Sequence, residues 1–185
     1  NLGACGEGGG ITTNNEEVKN HLHSLRNHGC KERYYHDEIG YNYRMSNILA
    51  GIGRGQMEVL DKHIDLRRGM NYFYKELFKD VDGITVFEEP SKEYFSNHWL
   101  SCIIIEESIT GFTREELRLQ LEKNNIESRP LWKPMHLQPV FKECDYYGGN
   151  VSETLFNKGL CLPSGSNLAK EDKIRIEEVI RGLFN

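Results

Sequence analysis

The sequence predicts an α/β fold that ends in a small α+β domain, and three observations support this prediction. A short strand-like segment at residues 11–13 is followed by a helical segment. Apolar residues then recur at helical spacing from residue 46 to about residue 79. Beyond residue 81, strand-like and helix-like segments alternate up to a final amphipathic helix. With 185 residues, of which 38% are hydrophobic, the chain is long enough to bury a core.

Residues 1–45 are expected to be the end of a larger α/β domain. Five glycines among the first ten residues form a turn that lets backbone approach a ligand closely. The strand-like Ile-Thr-Thr segment at 11–13 comes next, and Asn-Asn-Glu-Glu at 14–17 offers a helix cap and two first-turn carboxylates. We therefore expect a helix over residues 16–27, which Gly29 ends.

A long loop is predicted for residues 30–43, because this segment shows no hydrophobic period. Long loops inside compact domains are usually functional. Ser46 can cap the helix that follows, and we expect that helix to connect two domains over residues 46–80. Its charged run at 61–68 is expected to be an exposed helix face.

Three glycines fall inside the connecting helix, and each weakens it by nearly 1 kcal/mol relative to alanine. They are Gly51, Gly53 and Gly55. Either another helix, for example from a second subunit, approaches closely at these positions, or the helix kinks or breaks there.

Residues 81–185 are predicted to form the small domain, with a mostly antiparallel sheet. Strands are expected at 84–88, 99–106 and 126–129. Between the second and the third strand, the capping box Thr-Arg-Glu-Glu at 113–116 is expected to begin a helix that ends near Asn124. The last helix is predicted over residues 170–184. Its inward side chains are expected to be Ile176, Val179, Ile180 and Leu183.

Composition excludes several classes of function. The net charge of −5 argues against a nucleic-acid surface, which needs clustered Lys and Arg. No apolar run is long enough for a membrane helix, and no secretory signal is apparent, so we expect a cytoplasmic location and no membrane partner. Five separated cysteines and the histidine spacing do not match a metal site, and reduced thiols are expected.

The sharpest local motif is Gly-Tyr-Asn-Tyr-Arg-Met-Ser at residues 40–46. An amide at Asn42 and a guanidinium at Arg44, two residues apart on extended chain, can point to one side and bind phosphate oxygens. The helix that starts at Ser46 adds a favourable dipole for an anion. The alternative is that Asn42 satisfies loop backbone while Arg44 pairs with a neighbouring carboxylate at 37–38.

A second candidate segment carries His136 between prolines, which fix an extended path and reduce the entropy lost on placing a side chain. Such a histidine can donate a hydrogen bond to a ligand oxygen, and Trp132 can cover an apolar ring face. The alternative is a surface histidine with Trp132 in the core. Trp99 heads a strand and is expected to be buried, with a role as a gate to a pocket as the alternative.

Taken in order, the motifs resemble the DegT/DnrJ/EryC1/StrS family of fold-type I aminotransferases, which use pyridoxal 5′-phosphate. The resemblance covers nearly all of the chain. Its motifs are the glycine-rich opening, Leu-Arg-Asn-His-Gly at 25–29, the 40–46 segment, Lys-Pro-Met-His-Leu-Gln-Pro at 133–139 and Leu-Cys-Leu-Pro at 160–163.

The resemblance implies a set of roles that the spacing alone does not show. The lysine that carries the cofactor is expected immediately before Asn1, so no catalytic residue is assigned within this chain. Asn42 is expected to reach the cofactor phosphate of the adjacent subunit of a homodimer with shared active sites. Arg44, His136, Tyr41 and Trp132 are expected to contact the nucleotide-sugar substrate.

The resemblance also implies the reaction, in which an amino donor, expected to be glutamate, supplies nitrogen to a nucleoside-diphosphate keto sugar. The segment around residues 129–141 most resembles enzymes that aminate C4 of a UDP-4-keto-6-deoxy-N-acetylhexosamine, whereas the Asn-Leu-Gly-Ala opening is commoner in enzymes acting at C3. Two alternatives stay open at this point: a cofactor-dependent sugar dehydratase of the same family, and a noncatalytic nucleotide-sugar binding module.

Overall fold

A computed structural model describes residues 8–184 and divides the chain into two compact units, Asn1–Leu60 and Asp61–Asn185. The glycine-rich opening lies largely outside the described residues. The boundary between the two units, at Leu60 and Asp61, falls inside the predicted connecting helix.

In the first unit, helix α1 covers Glu16–Arg26 and begins at the predicted cap. The side-chain oxygen of Asn15 accepts hydrogen bonds from the backbone N–H groups of Glu17 and Val18, at 2.9 and 3.2 Å. The helix prediction is thus confirmed. The strand predicted at residues 11–13 is wrong, because no described residue pairs with this segment and it has no regular structure.

The predicted long loop instead contains a small antiparallel hairpin. Strand β1 covers Cys30–Glu32 and strand β2 covers Tyr35–His36. Tyr34 takes a positive φ of 73° in the turn between them. Strands this short show too few residues for an alternating pattern, so sequence periodicity does not reveal them.

Two glycines, one before and one after the hairpin, bring the two ends of this segment into close backbone contact. Gly29 has a φ of 67°, and a Cβ added to Gly40 would lie only 2.0 Å from the backbone nitrogen of Gly29. Only glycine allows this approach. The chain therefore returns to the C-terminal end of α1 directly after Gly40.

The predicted continuous helix is interrupted at one residue. Helix α2 covers Asn47–Glu58 and helix α3 covers Leu60–Phe78. Val59 separates them with φ −111° and ψ 6°, values outside the helical region. The helix is therefore broken, which was one of the two alternatives, but the break comes after the glycines rather than at them.

The second unit contains one four-stranded antiparallel sheet in the order β3-β4-β6-β5. Its strands are β3 (Ile84–Val86), β4 (Ser101–Ile105), β5 (Arg129–Pro130) and β6 (Gly159–Leu162). Its other helices are α4 (Glu107–Thr110), α5 (Arg114–Lys123), α6 (Val151–Lys158) and α7 (Lys170–Arg181). The antiparallel sheet, the Thr113–Glu116 capping box and the last helix are as predicted. Strand β6 and helix α6 have no counterpart in the prediction.

One face of the sheet carries the hydrophobic core. Ile103 and Ile105 of β4 are fully buried there, whereas Cys102 and Ile104 alternate to the other face and are half-buried.

The helices of the second unit cover this core. Helix α3 adds Tyr74, whose hydroxyl donates to the Pro163 carbonyl at 2.8 Å and whose pKa is raised by burial. Helices α5 and α7 complete the core with Leu117, Leu121, Ile176 and Ile180. Val179 and Leu183 pack against it, so the predicted inward face of α7 is confirmed.

Two short 3₁₀ turns, Met135–Leu137 and Pro139–Phe141, follow the proline-rich segment. Among the helices of residues 8–184, none combines the length and the apolar character that crossing a membrane requires.

Candidate functional site

The segment 41–45 runs as extended chain beside the end of α1. The backbone N–H of Tyr41 donates to the Leu25 carbonyl at 2.7 Å, and that of Tyr43 donates to the Arg26 carbonyl at 3.0 Å. The N–H of His28 donates in turn to the Tyr41 carbonyl at 3.0 Å. These bonds fix the backbone of the segment and leave its side chains available.

Side chains of this segment alternate between two sides, as extended chain requires. Tyr41 and Tyr43 stack on one side with ring centroids 5.0 Å apart and an interplanar angle of 12°. With Met45 they line an apolar cavity against α1. The side chain of Arg44 lies on the other side and lines a polar cleft. By the same alternation we expect the Asn42 side chain on the Arg44 side, and this stays a prediction.

Neither Asn42 nor Arg44 has a side-chain partner within residues 8–184. Both side chains are exposed, and neither forms a hydrogen bond or ion pair with any described residue. The neighbouring carboxylates are already paired, Asp37 with Lys31 at 3.2 Å and Glu38 with His21 at 3.4 Å. The alternative pairing of Arg44 with these carboxylates is therefore not what the structure shows.

The start of helix α2 lies directly after these two donors. The hydroxyl of Ser46 accepts the N–H of Leu49 at 3.3 Å and caps the helix, as predicted. The first turn of α2 contains no acidic side chain that would neutralise its positive end. An amide, a guanidinium and a helix start thus converge on a short stretch of chain, an arrangement suited to binding an anion.

His136 has a protein partner, which the sequence did not indicate. Its Nε2 lies 2.8 Å from a carboxylate oxygen of Glu153 in α6, and its ring stacks on Tyr146 with centroids 3.8 Å apart. The histidine side chain is 17% exposed. It is therefore a fixed side chain at the edge of the surface and not a free loop histidine. Glu153 is 17 residues away along the chain, so no local pattern reveals the pair.

Trp132 belongs to a different place in the second unit, a groove lined by aromatic side chains. The Trp132 and Trp99 rings lie 5.9 Å apart and are 67% and 55% exposed. The expectation that Trp99 is buried is wrong, and so is the alternative that Trp132 belongs to the core. Arg67 donates to the Trp99 carbonyl at 2.5 Å and holds the start of β4 while the ring faces outward. The other aromatic lining residues are Phe87, Tyr94 and Phe95.

A charged network shapes one wall of this groove. Glu89 accepts hydrogen bonds from Arg68 at 2.7 Å and from the backbone N–H of Ser96 at 3.2 Å, and it lies 3.4 Å from Nε2 of the buried His98. The hydrogen bond from Arg68, followed by that from Ser96, lowers the pKa of Glu89 to about 2. Arg67 and Arg68 are half-buried. His63 and Ile64 of the same run are half-buried too, so the prediction that the whole 61–68 run is an exposed face is wrong for four of its residues.

The structure thus brings the site candidates together only in part. Tyr41, Asn42 and Arg44 share one extended segment of the first unit. His136 and Trp132 both belong to the second unit, but His136 packs on Tyr146 whereas Trp132 lines the aromatic groove. Among residues 8–184, no group of three or more His, Cys, Asp or Glu side chains is placed to hold a metal ion.

Comparison with known proteins decides the family. The model of the DegT/DnrJ/EryC1/StrS aminotransferase family matches residues 1–181. The chain belongs to this family. Both the resemblance seen in the motifs and the predicted α/β fold class, the fold-type I aminotransferase architecture, are thereby confirmed.

Relatives within the DegT/DnrJ/EryC1/StrS family extend well beyond the length of this chain. EpsN of Bacillus subtilis (strain 168), provisionally named a pyridoxal phosphate-dependent aminotransferase, is 38% identical over 96% of this chain and 47% of its own length. The GDP-perosamine synthase of Escherichia coli O157:H7 is 35% identical over 97% of this chain and 48% of its own. The chain spans about half the length of these curated relatives.

A solved structure agrees with the fold. A DegT/DnrJ/EryC1/StrS aminotransferase from Brucella abortus superposes with a TM-score of 0.74 and 29% identity. The match covers 94% of this chain and 45% of the Brucella chain.

Proposed function

We propose that this chain is part of a pyridoxal phosphate-dependent aminotransferase that moves an amino group from glutamate to a nucleoside-diphosphate keto sugar. The single observation that carries this proposal is the pair of donors, Asn42 and Arg44, which are exposed and unpartnered within residues 8–184 and lie two residues apart on the extended segment before α2. Membership of the aminotransferase family supplies the chemical context.

The donors fit the phosphate of the cofactor. An amide N–H and a guanidinium both bind phosphate oxygens, and the guanidinium can do so in a bidentate manner. The unneutralised start of α2 favours the same negative charge. When bound, pyridoxal phosphate supplies the electrophilic carbonyl and the electron sink for amino transfer. This chain's part is to hold and orient the phosphate, with Asn42 serving the active site of the adjacent subunit of a homodimer.

The remaining candidates are assigned to the sugar nucleotide. Arg44 would contact the cofactor phosphate or the sugar nucleotide. Tyr41, whose ring stacks on Tyr43 on the other side of the segment, is assigned to the sugar nucleotide as well. The exposed ring of Trp132 offers a flat apolar face, which suits a sugar ring. His136, if neutral and donating from Nε2 to Glu153, presents Nδ1 as an acceptor for a hydroxyl.

For the substrate, the proposal is a UDP-4-keto-6-deoxy-N-acetylhexosamine aminated at C4. The segment at 129–141 supports this choice through its resemblance to C4-acting enzymes. A competing substrate is a GDP-linked sugar, since one relative at 35% identity is named a GDP-perosamine synthase. The proposed location is the cytoplasm, where the four described free cysteines would stay reduced.

The phosphate assignment is tested by measuring cofactor affinity in the full-length protein. Asn42→Ala removes one charge-assisted hydrogen bond, which is worth about 1.5–3 kcal/mol, so the dissociation constant for pyridoxal phosphate should rise on the order of tenfold to a hundredfold. Equilibrium dialysis with absorbance detection provides the measurement. Asn157→Ala is the matched control, because Asn157 is an exposed asparagine of α6 in the other unit. An Asn42→Ala protein with unchanged affinity would refute the assignment.

The reaction is tested separately, by incubating the full-length protein with glutamate and a panel of keto sugars linked to UDP or GDP. The expected result is an amino sugar together with 2-oxoglutarate, detected by mass spectrometry. Loss of the sugar oxygen without nitrogen transfer would instead indicate the dehydratase. Nucleotide-sugar binding with no turnover on any substrate would indicate the noncatalytic module.

A further inference from the structure

Two cysteines face each other across the centre of the sheet in the second unit. Cys102 of β4 and Cys161 of β6 are direct cross-strand partners, and their sulfur atoms lie 3.7 Å apart. Both side chains lie on the sheet face opposite the buried Ile103 and Leu160. The sheet register holds the two sulfurs in contact, joined by a hydrogen bond but by no disulfide.

The pair is already close to the geometry of a disulfide. Directly opposed residues on antiparallel strands have Cα atoms about 4.5 or 5.5 Å apart, and both values fall within the range that disulfides span. A disulfide has sulfurs about 2.0 Å apart, so these two must approach by about 1.7 Å, which rotation about the Cα–Cβ bonds can supply. The backbone of the central strands does not have to move far.

The surroundings make the two thiols unequal. Cys102 is half-buried and lines the aromatic groove beside Trp132, so a small solute reaches this side of the pair. Cys161 is buried, and its other cross-strand partner is Arg129 of β5. A hydrogen bond from the Cys102 thiol and, to a lesser extent, the charge of Arg129 lower the pKa of Cys161. The same hydrogen bond and burial raise the pKa of Cys102.

We propose that Cys102 and Cys161 are a site of reversible oxidation, at which hydrogen peroxide entering through the aromatic groove converts the thiol pair into a cross-strand disulfide. Cys161 as thiolate attacks one peroxide oxygen, the O–O bond breaks, and hydroxide leaves as water after taking a proton. The sulfur of Cys102 then attacks Cys161, the S–O bond breaks, and a second water leaves with the Cys102 proton. Two thiols lose two electrons, and one peroxide is reduced to two waters.

Such a bond would join the two middle strands of the sheet. Strand β6 also pairs with Arg129 and Pro130 of β5, which lie three and two residues before Trp132. Oxidation is therefore expected to change the environment of the groove tryptophans as well as to link the strands. Neither effect depends on the cofactor or on the proposed aminotransferase reaction.

The test is peptide mapping of the full-length protein after brief treatment with hydrogen peroxide, followed by alkylation of the remaining thiols. The expected product is a linked peptide pair containing Cys102 and Cys161, lighter than the two free peptides by two hydrogens. Dithiothreitol should return both cysteines to the alkylated pool. Tryptophan fluorescence should change in parallel and recover on reduction.

Three variants separate this site from general thiol oxidation. Cys102→Ser should remove the linked product and leave Cys161 as a sulfenic acid that dimedone traps. Cys161→Ser should remove both the linked product and the dimedone adduct. Cys144→Ser is the matched control, since Cys144 is exposed, and it should leave the linked product unchanged.

The proposal is overturned if Cys102 and Cys161 both stay fully alkylatable at peroxide concentrations that oxidise the exposed Cys144. It is equally overturned if the disulfide found joins Cys144 or Cys30 to either of them. Should Cys161→Ser fail to fold, the trapping experiment on Cys102→Ser still decides, because a Cys161 that forms no sulfenic acid there contradicts the proposed first step.

Discussion

At the scale of single residues, asparagines of the same chain show what separates a structural side chain from a candidate binding one. The amide oxygen of Asn15 accepts hydrogen bonds from two backbone N–H groups at the start of α1. Asn42 has its backbone fixed by the neighbouring bonds, but its amide is exposed and unpartnered within residues 8–184. The sequence predicted that Asn42 and Arg44 share a side, because alternation is local. It did not predict that the nearby carboxylates would be taken by Lys31 and His21.

Glu89 gives a pH prediction at the same scale. Its hydrogen bonds to Arg68 and Ser96 lower its pKa from 4.5 to about 2 in the folded protein. A carboxylate whose pKa is depressed on folding stabilises the fold above its unfolded pKa, and this contribution disappears as pH falls through the folded value. The free energy of unfolding should therefore decline between about pH 4.5 and pH 2 partly through Glu89.

Glu89→Gln should remove that part of the pH dependence, because the amide does not titrate. Urea unfolding at several pH values between 2 and 7 provides the measurement. Glu93→Gln, an exposed position in the same loop, is the control and should follow the parent protein at every pH. A Glu89→Gln profile parallel to that of the parent would show that the ion pair with Arg68 does not contribute.

At the scale of elements, the sequence predicted the helices whose signals lie within their own segment. It missed the strand and the side-chain pair that depend on residues far away along the chain. Helices α1, α5 and α7 were predicted because caps and apolar spacing lie within each segment. Strand β6 consists of four buried residues, Gly-Leu-Cys-Leu, too few for a period, and its place in the sheet depends on pairing with β4 about 60 residues earlier. The His136–Glu153 pair was missed for the same reason.

Alanine substitution of two glycines in helix α2 tests whether this helix faces solvent or packs against a second subunit. A Cβ added at Gly51 or Gly55 meets no atom of residues 8–184 within 4 Å, and α2 has no buried residue. Alanine at both positions should raise helix stability by nearly 1 kcal/mol per residue if α2 faces solvent. If α2 packs closely against a second subunit, the added methyl groups should instead weaken the homodimer by about 1–3 kcal/mol.

Our account of a shared active site predicts the second outcome. Sedimentation velocity over a concentration series should show a higher dimer dissociation constant for the Gly51→Ala/Gly55→Ala protein. Gly69→Ala is the matched control, because Gly69 lies in α3 and a Cβ added there meets no described residue within 4 Å. A double variant that is more stable and equally dimeric would place α2 away from the interface.

At the scale of the whole molecule, family and fold class were predicted well, since the order of several modest motifs is specific even where each motif is weak. The site was predicted only in part. Tyr41, Asn42 and Arg44 belong to the first compact unit and His136 and Trp132 to the second, and their roles stay predictions. The chain spans about half the length of its curated relatives. Sequence patterns name candidate side chains, but they do not show which groups remain unpartnered after folding.

The central claim is that Asn42 and Arg44 reach the cofactor phosphate of a neighbouring subunit. A crystal structure of the full-length protein with pyridoxal phosphate bound tests it most directly. We predict the Asn42 amide nitrogen within about 3.2 Å of a phosphate oxygen held by the partner subunit, with the Arg44 guanidinium on the same phosphate or on the adjoining sugar nucleotide. A phosphate bound without either side chain, while both point to solvent, would contradict the account.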